Sequence, residues 1–244
     1  MKSAIYQPRS YRDQFADSQY EQFIVQHRES DLWIRAQVDL SALASEKLIQ
    51  VRNELELYID RHPEFACSLA PVSVGDDAPD IVLWMAQAAS KTGVGPMAGV
   101  AGAINYSLFC ELKKHSPMLI IENGGDIIAS GLEPVVVAIY AGGSPLSMRI
   151  GVKVGVIGGI GVCTSSGTVG HSLSFGKADA VTVISRDCIL ADAAATAIGN
   201  RIKTHNDFDR AIRFAQTIDQ IIGVVIIMGE RIGAWGGDFE ITGI

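Results

Sequence analysis

The chain has 244 residues, a formal charge of −7, 48% hydrophobic and 19% charged residues. This is the composition of a folded globular protein. No basic run exceeds Lys113-Lys114, so the electrostatic footprint of a nucleic-acid binder is missing and no nucleic-acid partner is expected. Cys67, Cys110, Cys163 and Cys188 include no Cys-x-x-Cys pair, which argues against a zinc or iron–sulfur centre. A membrane span needs about 18 uninterrupted apolar residues. The best stretch, residues 150–162, is short, glycine-rich and broken by Lys153, and the N-terminal 31 residues hold no apolar signal segment. A cytoplasmic protein with no membrane partner and reduced thiols is the expectation.

In chain order, residues 1–19 read as a loosely held arm. Residues 22–26 and 32–38 read as strands around a turn at 28–31. Leu48, Val51, Leu55, Tyr58 and Ile59 recur at helical spacing, with Ser41 or Ser45 as candidate cap and Pro63 as the stop. A second helix is expected over 80–89 and a third from Pro96 to Lys113. The small residues at 98–103 in that third helix fit either core packing or a seam between copies in a homo-oligomer. From Met118 the pattern turns to short apolar runs between glycines, with strands at 118–121, 127–129, 134–140, 150–157 and 180–184. Helices at 189–198 and 207–221 and strands at 224–228 and 239–241 complete the series. With no linker or repeat, one domain over 1–244 of mixed α/β (α+β) class is expected.

Three segments have the residues for chemistry. Residues 122–126, Glu-Asn-Gly-Gly-Asp, follow an apolar strand. Asn123, Gly124, Gly125 and Asp126 make either a tight hairpin turn or a backbone cradle for a nucleotide. Residues 163–171 gather Cys163, Thr164, Ser165, Ser166, Gly167, Thr168 and His171. Such a stretch can wrap phosphates, present Cys163 or a serine beside His171 as an activated nucleophile, or be a solvated loop with a buried thiol. Asp192 and Thr196 lie four residues apart on a helix, so their oxygens share one face. Hard cations take such oxygens, while the helix dipole alone also favours an acid in a first turn. Gly93, Gly95 and Ala98 match a dinucleotide fingerprint in letters but do not follow a strand, which argues against a Rossmann site.

The strand at 180–184 followed by Ala191-Asp192-Ala193-Ala194-Ala195-Thr196-Ala197 resembles the strand-then-helix signature of the ApbE-like (flavin transferase-like) superfamily. Residues 123–127 resemble its Gly-Gly-Asp turn, and Ser166, Gly167, Thr168 and His171 lie in the order of its Ser-Gly segment and histidine. The resemblance spans about residues 119–200 and implies layered sheets with packed helices. It further implies magnesium held by Asp192 and Thr196, and FAD or FMN near residues 123–126 and 164–168. Flavin transfer is the activity it suggests. Two transferase segments are absent: a Lys-Gly-aromatic-Ala-x-Asp stretch, where Gly95-Pro96-Met97-Ala98-Gly99-Val100 stands, and the Asp-Pro-x-Thr-Gly run after the histidine. The chain therefore resembles a divergent prokaryotic branch. Kinship with that branch suggests two alternatives: an enzyme or accessory protein of sulfur assimilation (homocysteine formation) using residues 163–171 on a sulfur-containing ligand, or a non-catalytic ligand-binding protein.

Overall fold

The computed structural model describes residues 19–168 and 175–244. Strands β1 (Glu21–His27) and β2 (Ser30–Ala36) form a hairpin, with Arg28 at φ 53° in the turn. Helix α1 (Ser41–Arg61) buries Leu48, Val51 and Leu55 of the expected stripe together with Ala44, while Tyr58 and Ile59 are partly buried. Neither serine caps it: Ser41 begins the helix and donates its N–H to Asp39 Oδ1 at 2.8 Å. Pro63 ends α1 and opens the short α2 (Pro63–Cys67). Helix α3 (Asp80–Thr92) stops at Gly93, whose left-handed φ of 74° costs a glycine little. A 3₁₀ turn (Pro96–Gly99) leads into α4 (Val100–Leu112).

The second half supplies β3 (Leu119–Asn123), β4 (Asp126–Ser130), β5 (Val135–Ala138), β6 (Ile150–Val154), β7 (Ile160–Ser165), β8 (Ala180–Ser185), α5 (Cys188–Gly199), α6 (Phe208–Gln216), β9 (Ile221–Met228), β10 (Arg231–Gly236) and β11 (Phe239–Gly243). Eight strands join in the order β1-β2-β3-β4-β7-β8-β9-β10, and three in the order β11-β6-β5. Every neighbouring pair is antiparallel.

Strands β8 and β9 of the large sheet are buried on both faces, which explains their nearly continuous apolar sequences. In β8, Val181 and Val183 pack with the helices, whereas Ala180 and Ile184 belong to a second core shared with Val152 and Val154 of the small sheet. The same alternation holds in β9, with Val224 and Ile226 toward the helices and Val225 and Ile227 toward the small sheet. The result is helices, large sheet and small sheet in three layers, an α+β arrangement as expected.

Helix α5 lies at the centre of the helical layer, with Ala191, Ala194 and Ala197 fully buried. Asp187 caps it, accepting from the Ile189 and Leu190 N–H groups at 3.0 Å each. Asp187→Ala is expected to cost about 1 kcal/mol in urea unfolding, the usual worth of an N-cap. The small residues of α4 serve this packing. A Cβ on Gly102 would lie 2.6 Å from the Cys188 carbonyl oxygen, and one on Gly99 would lie 3.3 Å from Ile189. Of the two uses open to that stretch, Gly99 and Gly102 show close helix approach within one chain.

Candidate functional site

Strand register brings several of the singled-out residues to one end of the large sheet, on its helix-facing side. Asn123 pairs with Asp126 across β3 and β4, two residues beyond the inward-facing Ile121–Ile128 pair. On β7, Cys163 and Ser165 share that face, because Cys163 pairs with Val183 and Ser165 with Val181. Helix α5 lies over these strands. A Cβ on its Gly199 would stand 3.9 Å from Ser165 Oγ.

The turn between β3 and β4 is a two-residue hairpin. Gly124 and Gly125 have φ of 69° and 104°, and the Gly125 N–H donates to Glu122 Oε1 at 2.9 Å. Both central residues at positive φ suit the strand twist and explain the Gly-Gly pair. A Cβ on Gly125 would meet nothing within 4 Å, so the turn faces open space.

Asp126 and Asp192 are half-buried carboxylates from different elements. Asp126 Oδ1 accepts from the Thr164 N–H at 3.2 Å, tying β4 to β7. Asp192 Oδ2 accepts from the Gly102 N–H at 2.9 Å, and the Ala101 N–H also bonds the carboxylate. Asp192 thus supplies from α5 the N-terminal cap that α4 lacks in its own sequence. The dipole argument for Asp192 applies, but to the neighbouring helix.

Burial raises both acids. Asp192 is pushed up to about 7 by desolvation, with the two N–H groups of α4 pulling the other way. Asp126 is driven well above the usual carboxylate range, first by burial and then by the Asp192 charge, against the pull of the Thr164 N–H. Asn105 of α4, fully buried, donates Nδ2–H to the Asp126 carbonyl at 2.8 Å, and its Oδ1 has no partner among the described residues.

Cys163 is 0% exposed, and its thiol is raised well above its usual value by burial, by Cys188 and by the two carboxylates. It donates to the Cys188 carbonyl at 3.5 Å and lies 3.8 Å from Cys188 Sγ. A protonated, enclosed thiol is a poor nucleophile, so these surroundings weigh against the catalytic reading of Cys163. Cys163, Thr164 and Ser165 end a strand; the loop begins only at Ser166. The Thr164 hydroxyl meets the Thr182 hydroxyl at 2.9 Å on the small-sheet side, so only its backbone serves Asp126. Ser166 Oγ accepts from the Thr168 N–H at 3.1 Å, and Thr168 Oγ1 donates to Asp179 at 3.2 Å. Gly167 presses on the Gly176 backbone, where a Cβ would lie 2.5 Å from the carbonyl oxygen. His171 lies outside the described residues.

Thr196 is half-buried one turn beyond Asp192 on α5. A carboxylate and a hydroxyl are hard donors, and beside them lie a second acid raised chiefly by burial and an Asn105 oxygen without a partner among the described residues. Among the described residues no three of His, Cys, Asp and Glu are grouped to hold a metal. This donor set fits magnesium, which takes one or two carboxylates and completes its shell with water and phosphate. It does not fit zinc. Sequence reading missed Asn105 and the place of Cys188 beside Cys163. The signal for Asn105 was one amide in the apolar run Ala103-Ile104-Asn105.

A separate cleft of about 240 Å³ is lined by Trp84, Lys91, Tyr106 and Arg186 and does not include the two carboxylates. Among the described residues no helix is long and apolar enough to cross a membrane.

The fold has relatives. The flavin transferase ApbE from Vibrio cholerae superposes with a TM-score of 0.61 at 13% identity, covering 88% of this chain and 97% of that one. The Pseudomonas stutzeri flavinyl transferase ApbE, in its apo form, gives 0.59 at 15%, covering 88% and 93%. These similarities concern the fold. In sequence, a UPF0280 protein of Methanococcus aeolicus is 44% identical over 200 residues, 80% of this chain and 81% of that protein. One of Methanocaldococcus jannaschii is 44% identical over 199 residues, 79% and 81%. The profile of the family described as AbpE bacteria matches residues 12–226. With residues 12–226 matched by that profile, the chain belongs to the AbpE bacteria family, and its fold resembles that of the ApbE flavin transferases.

Proposed function

We propose that this protein binds a flavin or adenine nucleotide together with magnesium at the end of the large sheet, between the β3–β4 turn, the end of β7 and helix α5. The observation that carries this reading is the meeting of Asp126 and Asp192, two raised, half-buried acids from separate elements beside an Asn105 oxygen that has no partner among the described residues. Structural ion pairs do not require such an arrangement, and functional sites concentrate it.

In this reading Asp192 and Thr196 hold the cation, which would neutralise charge on a diphosphate. Asp126, whose carboxyl burial raises, contributes its side chain to the ligand from β4, while Gly124 and Gly125 let the nucleotide approach the turn backbone. Ser165 and Ser166 add hydroxyls beside it. The ApbE-like fold and family membership support a flavin-transferase-like protein as the coarse class. Transfer of FMN to a hydroxyl is the finer possibility within it.

The test is thermal unfolding with magnesium, FAD, FMN and ADP, alone and combined, on wild type and Thr196→Val. A ligand at about 100 times its Kd adds roughly 2.7 kcal/mol. The expected result is a rise with FAD that requires magnesium and shrinks in Thr196→Val. No rise with any nucleotide in folded protein would remove this reading and leave Asp192 as a helix cap.

A further inference from the structure

Cys188 opens α5 and Cys163 sits within β7, 25 residues earlier, yet their sulfurs are 3.8 Å apart, in van der Waals contact. Both are free and 0% exposed. The backbones already press together: a Cβ on Gly161, two residues before Cys163, would stand 2.5 Å from Cys188 Cα. A disulfide needs neighbouring backbones and an S–S distance of about 2.05 Å, so the remaining approach of the sulfurs is within reach of side-chain rotation and a small shift of the first turn of α5.

What lies beside the pair gives it meaning. Cys188 and Asp192 are four apart and share a face of α5. Cys163 precedes Thr164, whose N–H holds Asp126, and the Cys163 thiol is also within hydrogen-bonding reach of the Asp126 side chain. The thiols therefore lie directly behind the two half-buried acids.

We propose that Cys163 and Cys188 are an oxidisable dithiol, closed by a small peroxide into a reversible crosslink that locks the start of α5 onto β7 and resets Asp192 against Asp126. The sulfur of one cysteine attacks the peroxide: an S–O bond forms, the O–O bond breaks and the thiol proton leaves with the first water. The second sulfur then attacks the sulfenic sulfur, forming S–S and breaking S–O, and its proton leaves with the second water. The dithiol loses two electrons and hydrogen peroxide gains them. Enclosure selects the oxidant, because hydrogen peroxide is scarcely larger than water and can pass the half-buried acids where bulky disulfides cannot. It also makes closure slower than oxidation of the exposed Cys67 and Cys110. The crosslink stands on the geometry alone, whereas its effect on ligand binding rests on the function proposed above.

The test uses the full chain with Cys67→Ser and Cys110→Ser, so that only the inner pair remains. Hydrogen peroxide should remove two hydrogens from the intact mass and join the peptides carrying Cys163 and Cys188, and dithiothreitol should reverse this. Adding Cys188→Ala should abolish the mass loss. Should that background fail to fold, peptide mapping of the wild-type chain gives the same answer. Inner thiols that stay alkylatable after peroxide and denaturation, or Cys163 driven to sulfinic acid without a crosslink, overturn the proposal. If reduced protein binds FAD with magnesium, the crosslinked form should bind roughly fivefold or more weakly, and unchanged affinity removes the resetting of Asp192. If reduced protein binds no nucleotide, the function proposed above fails, and the mass and peptide map still decide the crosslink.

Discussion

Asp192→Asn is expected to make the protein more stable at pH 8 by about 2 kcal/mol and to leave stability nearly unchanged below pH 4. The Asp192 carboxyl has a folded pKa of about 7 against an ordinary 3.8. Between those values the folded state binds more protons than the unfolded one, so stability falls as pH rises through that window. Below it both states are protonated and the residue contributes nothing; above it the full cost of the buried charge is present. Taken at face value the shift is worth roughly 4 kcal/mol, at about 1.36 kcal/mol per unit. Partial solvent access screens it to about half. Asparagine keeps an acceptor for the α4 N–H groups without the charge. Asp126 adds a slope of the same sign and is itself raised in part by the Asp192 charge, so the difference between wild type and variant, in urea unfolding at pH 4, 6 and 8, reads Asp192 together with its coupling to Asp126. A variant less stable than wild type at pH 8 would mean that the charge caps α4 more strongly than burial penalises it. Magnesium should stabilise wild type at pH 8 and leave Asp192→Asn unmoved, because only the charged form attracts the cation.

Gly161→Ala should cost about 3 kcal/mol or more. Its Cβ would sit 2.5 Å from Cys188 Cα, 2.9 Å from Cys188 Cβ and 3.1 Å from Cys188 N. Two of these are backbone atoms at the capped start of α5, between β7 and α4, so the relief open to a flexible side chain is absent. Overpacking of a fixed seam costs about 1–3 kcal/mol, occasionally more, and a central strand cannot bend away as an edge can. Gly102→Ala is the matching change on the opposite side of α5. There the gain of about 1 kcal/mol in helix propensity offsets part of the clash with Cys188 O. Chemical unfolding should rank Gly161→Ala as the worse of the two. Equal stability of Gly161→Ala and wild type would show that α5 rides on β7 more loosely than these distances state.

The parts of this fold that announced themselves did so through period. The stripe of α1 and the apolar runs of β8 and β9 carry their element type in the spacing of large side chains. β7 did not, because Gly161, Cys163, Thr164 and Ser165 are small or polar. Gly161 is small to admit α5, and Thr164 finds a hydroxyl partner on β8. Both reasons lie in distant elements. β10 escaped notice for a related cause: an edge strand with Gly233 and Gly236 shows little alternation. At the candidate site, Asp126 and Asp192 could be singled out from their neighbours in sequence. The Asn105 amide, the Cys188 thiol and the capping of α4 by Asp192 depend on which helix faces which strand, and no local spacing encodes that.

The small sheet has a consequence for synthesis. Its central strand, β6, is flanked on one side by β5, made shortly before it, and on the other by β11, which follows every other element in chain order. While the chain emerges from the ribosome, the acids, the β3–β4 turn and α5 can all assemble before β11 exists. During that interval β6 has one unpaired edge, and Val152 and Val154 lie under an incomplete roof. An open edge on a nascent sheet is where partly made chains pair with one another. The nascent protein would therefore be most vulnerable in the interval before β11 is made, when its site is built and one of its two cores is still ajar.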